Sequence, residues 1–253
     1  MSQKYCFLAV EGPHDQAAIT KLLQLSGLQR FDGTAKFLDP FWEGFVPKYP
    51  KGGNLYTRMD MPTILISQTH SVAIYWGEGS KLVQNLIDVV NNQKRYAQEI
   101  QAFGLIVDAD VRQPDVVAKE KATALRAIFP TLSEVPGAIA PGSPRTGIYV
   151  LPDNKRLGVL DSTLVDCASI VYPDHKNGAD QFLNGLNNKH TIHLNSFARE
   201  KAIVACIVSI LRPGAANTPS ILQDKWISEQ TSNNNDIILL HRFIKDLLEL
   251  PSK

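Results

Sequence analysis

The chain has 253 residues, and its hydrophobic content of 44% is enough for one large domain to bury a core. Its 26 basic and 25 acidic residues nearly balance, so bulk charge indicates neither a nucleic-acid coat nor a membrane surface, and a polyanion would need a local patch. The cysteines Cys6, Cys167 and Cys206 are far apart, which favours reduced thiols over a disulfide framework or a zinc cluster. No apolar stretch approaches ~18 residues. We therefore expect a cytoplasmic protein without a membrane span.

The N-terminal segment predicts a strand, a tight turn and a helix. Residues 5–10 (YCFLAV) form an apolar run that stops at Glu11, and Gly12 and Pro13 follow at once. Such a run, closed by glycine and proline, is typical of a buried strand that ends in a turn. Asp15 is the predicted N-cap of the helix that comes next. The segment is therefore half of a β-α-β unit.

Residues 31–70 are predicted to be an irregular insertion. Prolines and glycines alternate there with aromatic residues that include Phe41, Trp42 and Phe45. A structureless loop of that length is unusual in a compact domain, so we expect the aromatic side chains to pack as part of the core. A lid or a partner-binding surface is the alternative.

A candidate phosphate-binding loop follows the next apolar run, residues 72–76. It contains Gly77, Gly79, Ser80 and Lys81 and leads directly into a helical pattern. A glycine turn at a helix N-terminus offers backbone N–H groups to an anion, and the serine and lysine side chains add donors. The spacing is not that of a Walker loop, and a plain turn capped by Ser80 is the alternative.

Two carboxylates stand at the end of the most apolar run. Residues 105–107 are Leu-Ile-Val, and Asp108 and Asp110 follow with one residue between them. In open α/β sheets, ligands bind outside the carboxyl ends of such buried parallel strands. Alternation along a strand places both aspartates on one side, where they could hold one cation of the Mg²⁺ type. In the alternative interpretation, Asp108 caps the following turn and Asp110 is solvated.

The remaining pattern completes a single α/β domain over residues 1–253. A helix is predicted from Pro114, a further strand over residues 147–151, and a helical C-terminal extension over residues 159–253. Asp161 and Asp166 are five positions apart and do not share a helix face, so only Asp161, nearer the turn, is expected to face the site. We therefore expect a parallel sheet flanked by helices.

The order of these motifs resembles the TOPRIM fold of topoisomerases, bacterial-type primases, recombination-repair proteins and overcoming-lysogenization-defect nucleases. The TOPRIM signature is a glutamate after the first strand and Asp-x-Asp after a later one. The segments VEGPHD, LIVDADV, YVLPDNKRLGVLD and KAIVACIVSILRPG are also similar to a prokaryotic TOPRIM-like family of unknown function, the domain-of-unknown-function group 3226. The resemblance covers most of the chain outside residues 31–70.

The resemblance implies a TOPRIM-like Rossmannoid fold and assigns roles to four acids. Glu11, Asp108 and Asp110 are the implied catalytic residues, and the same three together with Asp161 are the implied ligands of Mg²⁺ or Mn²⁺. Glu11 is either a metal ligand or a general acid/base. Asp161 departs from the family pattern, because a glutamate is expected at its position.

The motifs and the resemblance lead to two expected functions from different classes. The first is a metal-dependent phosphodiester hydrolase or transferase that acts on nucleic acid, a magnesium-dependent nuclease in defence or repair. The second is a non-catalytic TOPRIM-like module that binds a metal or a nucleotide for regulation. Nucleic acid, a protein partner or a second copy of the chain are the expected partners. A basic stripe for phosphates would draw on Lys48, Lys51, Arg58, Lys81 and Arg112.

Overall fold

A computed structural model describes residues 3–45, 62–92, 95–187, 194 and 197–251. Its strands are β1 (Lys4–Val10), β2 (Gln29–Arg30), β3 (Thr63–Ile66), β4 (His70–Trp76), β5 (Ala102–Asp108), β6 (Ile139–Ala140) and β7 (Arg145–Leu151). They form one sheet in the order β2-β3-β4-β1-β5-β7-β6. The neighbours β4, β1, β5 and β7 are parallel, and β2, β3 and β6 pair in antiparallel fashion at the two edges. The sheet is therefore mixed but mostly parallel, as the apolar runs predicted.

Helices cover both faces of this sheet. They are α1 (Pro13–Leu25), α2 (Leu82–Asn92), α3 (Arg95–Glu99), α4 (Pro114–Leu125), α5 (Leu160–Val171), α6 (Pro173–Gly185), α7 (Ala198–Leu211), α8 (Asn217–Gln223) and α9 (Asn235–Leu248). Among the helices so described, none is long and apolar enough to cross a membrane.

The central strands are continuously apolar because both of their faces are buried. Side chains alternate between the two faces, so Leu8 joins one hydrophobic cluster and its neighbour Phe7 joins the other. The first cluster includes side chains from α1 and from α5 to α9, and the second includes side chains from α2, α4 and the segment before β3. The C-terminal helices thus share a core with the sheet.

The predicted insertion contains part of a regular hairpin of β3 and β4. Strand β3 and the first residue of β4 fall within residues 31–70. Phe41, Trp42 and Phe45 are buried against the sheet, and the indole Nε1 of Trp42 donates a hydrogen bond of 2.8 Å to Oγ of Ser71. Packing of these three aromatic side chains is therefore confirmed, whereas Phe37 is 71% exposed. The basic candidates Lys48, Lys51 and Arg58 lie outside the described residues.

The start of α1 differs from the prediction. The N-cap position belongs to Gly12, and Asp15 lies three residues into the helix. There the carboxylate Oδ2 of Asp15 accepts a hydrogen bond of 2.8 Å from the backbone N–H of Gly12. The prediction of Asp15 as N-cap was wrong because an acid at the third helical position can instead reach back to the backbone N–H of the N-cap residue.

The loop that precedes α5 is anchored to the last helix by Arg156. Its guanidinium donates two hydrogen bonds of 2.7 Å to the carboxylate of Asp236 and one of 2.9 Å to Oδ2 of Asp153. Thr163 Oγ1 donates a further bond of 3.1 Å to Asp236. Because Asp236 is buried, these bonds compensate its charge. They hold the segment from which Asp161 enters the candidate site.

Candidate functional site

Chain segments with polar side chains meet at the carboxyl edge of the parallel strands. Glu11 directly follows β1, and Asp108 is the last residue of β5. The two strands are neighbours, with Val10 in register with Ile106 on one side and with Trp76 on the other. The predicted alignment of Glu11 and Asp108 at one edge of the sheet is confirmed.

A cavity of about 380 Å³ opens at this edge. Its acidic lining residues come from four separate segments, and a histidine and a lysine join them: Glu11, Asp15, Glu78, Asp108, Asp161, His14 and Lys201. Carboxylates this numerous in a partly buried space repel one another, which disfavours their charged forms. Repulsion among these carboxylates therefore destabilises the cavity when all of them are charged.

Asp108 lies at the end of β5 and is bonded to the backbone of α5. Its Oδ1 accepts a hydrogen bond of 3.0 Å from the backbone N–H of Leu160. Burial raises the pKa of Asp108 well above its usual range, and the negative charges of Asp15 and Glu11 raise it further. Burial also raises the pKa of Glu11, against the opposing charge of Lys121. Both groups therefore retain a proton at a higher pH than an exposed carboxyl does.

Asp15 and His14 begin α1 beside these acids. Burial raises the pKa of Asp15 to about 7, although the hydrogen bond from Gly12 acts in the opposite direction. Burial lowers the pKa of His14, and the charge of Asp161 opposes that effect. The cavity thus contains an acid, Asp15, that changes protonation near neutral pH.

Asp161 faces the cavity from the first turn of α5, as its spacing from Asp166 predicted. It is 5% exposed, while Asp166 lies on the exposed side of the helix. One oxygen, Oδ1, is buried and has no hydrogen-bond partner in the structure. Burial raises the pKa of Asp161, and His14 and Lys201 act against that rise.

Asp110 is placed differently from the prediction. Strand β5 ends at Asp108, and Asp110 has a φ of 51°, in the left-handed region. Its backbone N–H donates to the carbonyl of Gly158 at 2.8 Å, and the N–H of Gly158 donates back at 3.1 Å. Strand alternation therefore no longer applies at Asp110, whose side chain is exposed and does not line the cavity. Its charge still contributes, after burial, to the raised pKa of Glu11.

The glycine loop is bonded to β1 rather than open toward an anion. The N–H of Gly77 donates to the carbonyl of Val10 at 3.1 Å, and the N–H of Gly79 donates to the carbonyl of Glu11 at 2.8 Å. These two amides are therefore used within the fold, contrary to the expectation. Lys81 and Ser80 are exposed, and Lys81 forms an ion pair of 3.1 Å with Glu78. Phosphate binding by Gly77, Gly79, Ser80 and Lys81 stays a prediction.

The donor chemistry of the cavity fits a hard divalent cation. Mg²⁺ and Mn²⁺ prefer carboxylate oxygens, and Glu11, Asp108 and Asp161 bring three carboxylates to one cavity. Bound positive charge would offset the burial that raises the pKa of each group. Over the described ranges, no three His, Cys, Asp or Glu side chains are already arranged as one ligand set. The ligand assignment, Asp110 included, therefore stays a prediction.

Sequence reasoning misassigned Asp15 and missed five polar or aromatic residues that line the cavity: His14, Trp76, Glu78, Lys201 and Asn217. His14 lies in the run EGPHD, so its nearness to Glu11 was a usable signal. Asp15 was assigned only to a capping role. Trp76 ends the run before the glycine loop and was treated as part of an ordinary strand. Lys201 lies on α7, and no local pattern connects it with the sheet edge; only the packing of α7 brings it there.

The pH dependence of stability provides a test of this electrostatic arrangement. An acid whose pKa is raised on folding stabilises the folded state fully at pH values below its pKa in the unfolded state, ~4. This contribution is lost as the pH rises through its pKa in the folded state. For Asp15 that window ends at about 7. In urea unfolding without metal, we compare the free energies of unfolding of Asp15→Asn and the wild type. Relative to the wild type, we expect the value for the variant to increase by on the order of 1–3 kcal/mol between pH 5 and pH 8.

The comparison between variant and wild type is needed because His14 and His70 act in the opposite sense. Burial lowers the pKa of both histidines, so their contribution to stability is lost as the pH falls. Subtracting the variant from the wild type removes their effect. A constant difference between the two proteins across this pH range would contradict the arrangement.

Comparisons with known proteins identify a family. The fold is similar to the crystal structure of a hypothetical protein from Pyrococcus horikoshii OT3, with a TM-score of 0.54, 16% sequence identity and 98% of each chain covered. No curated protein matches the chain. The model of the family described as "Protein of unknown function (DUF3226)" matches residues 5–248. Because that match spans nearly the whole sequence, the chain belongs to the DUF3226 family of proteins of unknown function.

Proposed function

We propose that this protein is a TOPRIM-like, metal-dependent phosphodiester hydrolase or transferase that acts on nucleic acid in the cytoplasm. The observation that carries the proposal is the meeting of Glu11, Asp108 and Asp161, from three separate segments, in one cavity at the carboxyl edge of parallel strands. Ligands of open α/β folds bind at this edge. Buried carboxylates without compensating charge are costly, so a site that keeps them together favours a cationic ligand.

The TOPRIM-like part of the proposal is supported by the order of the motifs. Glu11 follows the first strand, and the Asp-x-Asp motif at Asp108 follows a later strand that pairs directly with the first. This arrangement matches what the resemblance implies. A bound Mg²⁺ or Mn²⁺ would supply positive charge for the phosphate and would activate a water molecule.

The side chains of this chain have separable roles in the proposed reaction. Asp108 and Asp161 would be ligands of the divalent cation in the cavity. Glu11, at the end of β1, is the third ligand of the cation or the general acid/base of the reaction, the two roles that the resemblance implies. Lys201 brings a cationic side chain to the cavity and is placed to attract a phosphate.

A binding module without turnover is the second candidate, and one observation favours it. Two of the carboxylates already serve the backbone: Asp108 accepts from Leu160, and Asp15 accepts from Gly12. Acids used in this way stabilise the loops that enter the site. The same cavity would then bind a metal or a nucleotide without cleaving it.

Hydrolysis assays on Glu11→Gln test the leading proposal. We expect the wild type to cut DNA or RNA in the presence of Mg²⁺ or Mn²⁺. The rate of Glu11→Gln should be about 10²–10⁴ times lower, because the carboxylate that transfers a proton or binds the cation is removed. Glu229→Gln, at an exposed glutamate outside the cavity, serves as the matched control and should keep the full rate. Equal rates for both variants would contradict a catalytic role for Glu11.

A further inference from the structure

Asp161 has an oxygen that the fold leaves without a hydrogen bond. Oδ1 is buried, the residue is 5% exposed, and it lines the cavity. Buried carboxylate oxygens are acceptors that almost always find a donor. Asp166 on the same helix is exposed, so water can donate hydrogen bonds to its carboxylate. The unpartnered oxygen therefore indicates a donor that arrives with a ligand.

Trp76 forms an apolar wall of the same cavity. It ends β4, is half-buried, and packs against the hydrophobic cluster under α1. Strand β1 lies between β4 and β5, so Trp76 and Asp108 stand on strands about 10 Å apart, twice the usual strand spacing. An aromatic face that borders a polar site accepts a stacked nucleobase and is tolerant of its identity.

The size and charge of the cavity limit what can enter. Its volume of about 380 Å³ is at the lower end of the range for small-ligand pockets, ~300–1,000 Å³. Proteins that act on nucleic acid within such a pocket use single strands or extruded nucleotides, because a stacked duplex does not enter. The net charge of +1 also gives little electrostatic attraction for a long duplex.

We propose that the cavity takes one nucleotide unit, free or at the end of a single strand, with its base against Trp76 and one of its N–H or O–H groups donated to Asp161. The proposal rests on the function proposed above for one point only, the placement of the phosphate beside Glu11 and Asp108. The contact of the base with Trp76 and the hydrogen bond to Asp161 need no turnover, and a nucleoside without phosphate tests both in the absence of metal.

Tryptophan fluorescence offers a selective readout. The chain has three tryptophans, and Trp42 and Trp226 have no exposed surface, so quenching by a ligand reports on Trp76. The probes are thymidine, which has no phosphate, thymidine 5′-monophosphate with Mg²⁺, and a single-stranded oligothymidylate. We expect saturable quenching by all three probes and its loss in Trp76→Phe.

Substitution of the two aspartates of α5 provides the matched pair. Asp161→Ala should weaken thymidine binding at least tenfold, about the effect of losing a hydrogen bond to a charged acceptor. Asp166→Ala should bind as the wild type does. The melting temperature of Asp161→Ala should not fall, because the removed carboxylate has an unpartnered oxygen; this separates loss of binding from loss of folding.

Three results would overturn the inference: no saturable quenching by thymidine, equal affinity for a blunt hairpin duplex or inorganic phosphate, or unchanged binding in Asp161→Ala. Nucleic-acid cleavage without thymidine binding would refute the inference and leave the proposed function standing. Thymidine binding without metal stabilisation or cleavage would support the inference and refute the proposed function.

Discussion

Asp108→Asn is expected to remove the rise in melting temperature that Mg²⁺ or Mn²⁺ gives the wild type, together with any hydrolysis. A ligand that binds only the folded state stabilises it by about 2.7 kcal/mol at one hundred times its dissociation constant. For a chain of this size each kcal/mol corresponds to roughly 2–4 °C, so the wild type should gain about 5–10 °C. The variant should gain almost nothing.

The same substitution should not destabilise the metal-free protein. Asparagine keeps an oxygen that can accept the hydrogen bond from Leu160, so the backbone contact is retained. It also removes the charge that burial and the neighbours Asp15 and Glu11 disfavour, as the raised pKa of Asp108 indicates. We therefore expect Asp108→Asn to be at least as stable as the wild type at pH 8 in the presence of a chelator.

Differential scanning fluorimetry over a series of metal concentrations measures both effects. Asp246→Asn, at an exposed aspartate on α9 outside the cavity, is the matched control and should respond to metal as the wild type does. If metal up to millimolar concentration leaves the melting temperature of the wild type unchanged, and neither DNA nor RNA is cut, the enzyme proposal is rejected in favour of the binding module. A metal response that persists in Asp108→Asn would place the ion elsewhere.

Trp42→Ala is expected to cause the largest loss of stability. The side chain has no exposed surface, packs edge-on against Phe41 and Phe45, and donates its Nε1 hydrogen to Ser71. Removing a buried aromatic side chain costs about 3–5 kcal/mol, through lost burial and the cavity that remains. The hydroxyl of Ser71 also loses a partner, which places the expected cost toward the upper part of that range.

Phe37→Ala is the control for this prediction. Phe37 lies in the same segment but is 71% exposed, so its removal should change the free energy of unfolding by less than about 0.5 kcal/mol. Urea unfolding monitored by circular dichroism compares the two variants. Similar losses for both, or a loss below about 1 kcal/mol for Trp42→Ala, would contradict a core role for this segment.

The central part of the fold was predictable because its strands are buried on both faces. Apolar runs with almost no polar residues indicated β1, β4, β5 and β7, and the acids that end two of those runs indicated Glu11 and Asp108. The edge strands β2 and β6 contain only two residues each, too short for any periodicity to appear. Strand β2 pairs with β3, which is more than thirty residues away along the chain, so no local pattern indicates that pairing.

Which strand ends carry acids follows from the sequence alone, because alternation and burial are local properties of an apolar run. Two other features of the cavity depend on tertiary contacts. Asp110 turns outward because its backbone pairs with Gly158, a residue from another loop. Lys201 enters because α5 and α7 pack together beside the sheet edge. Such contacts join distant segments, and no local spacing encodes them.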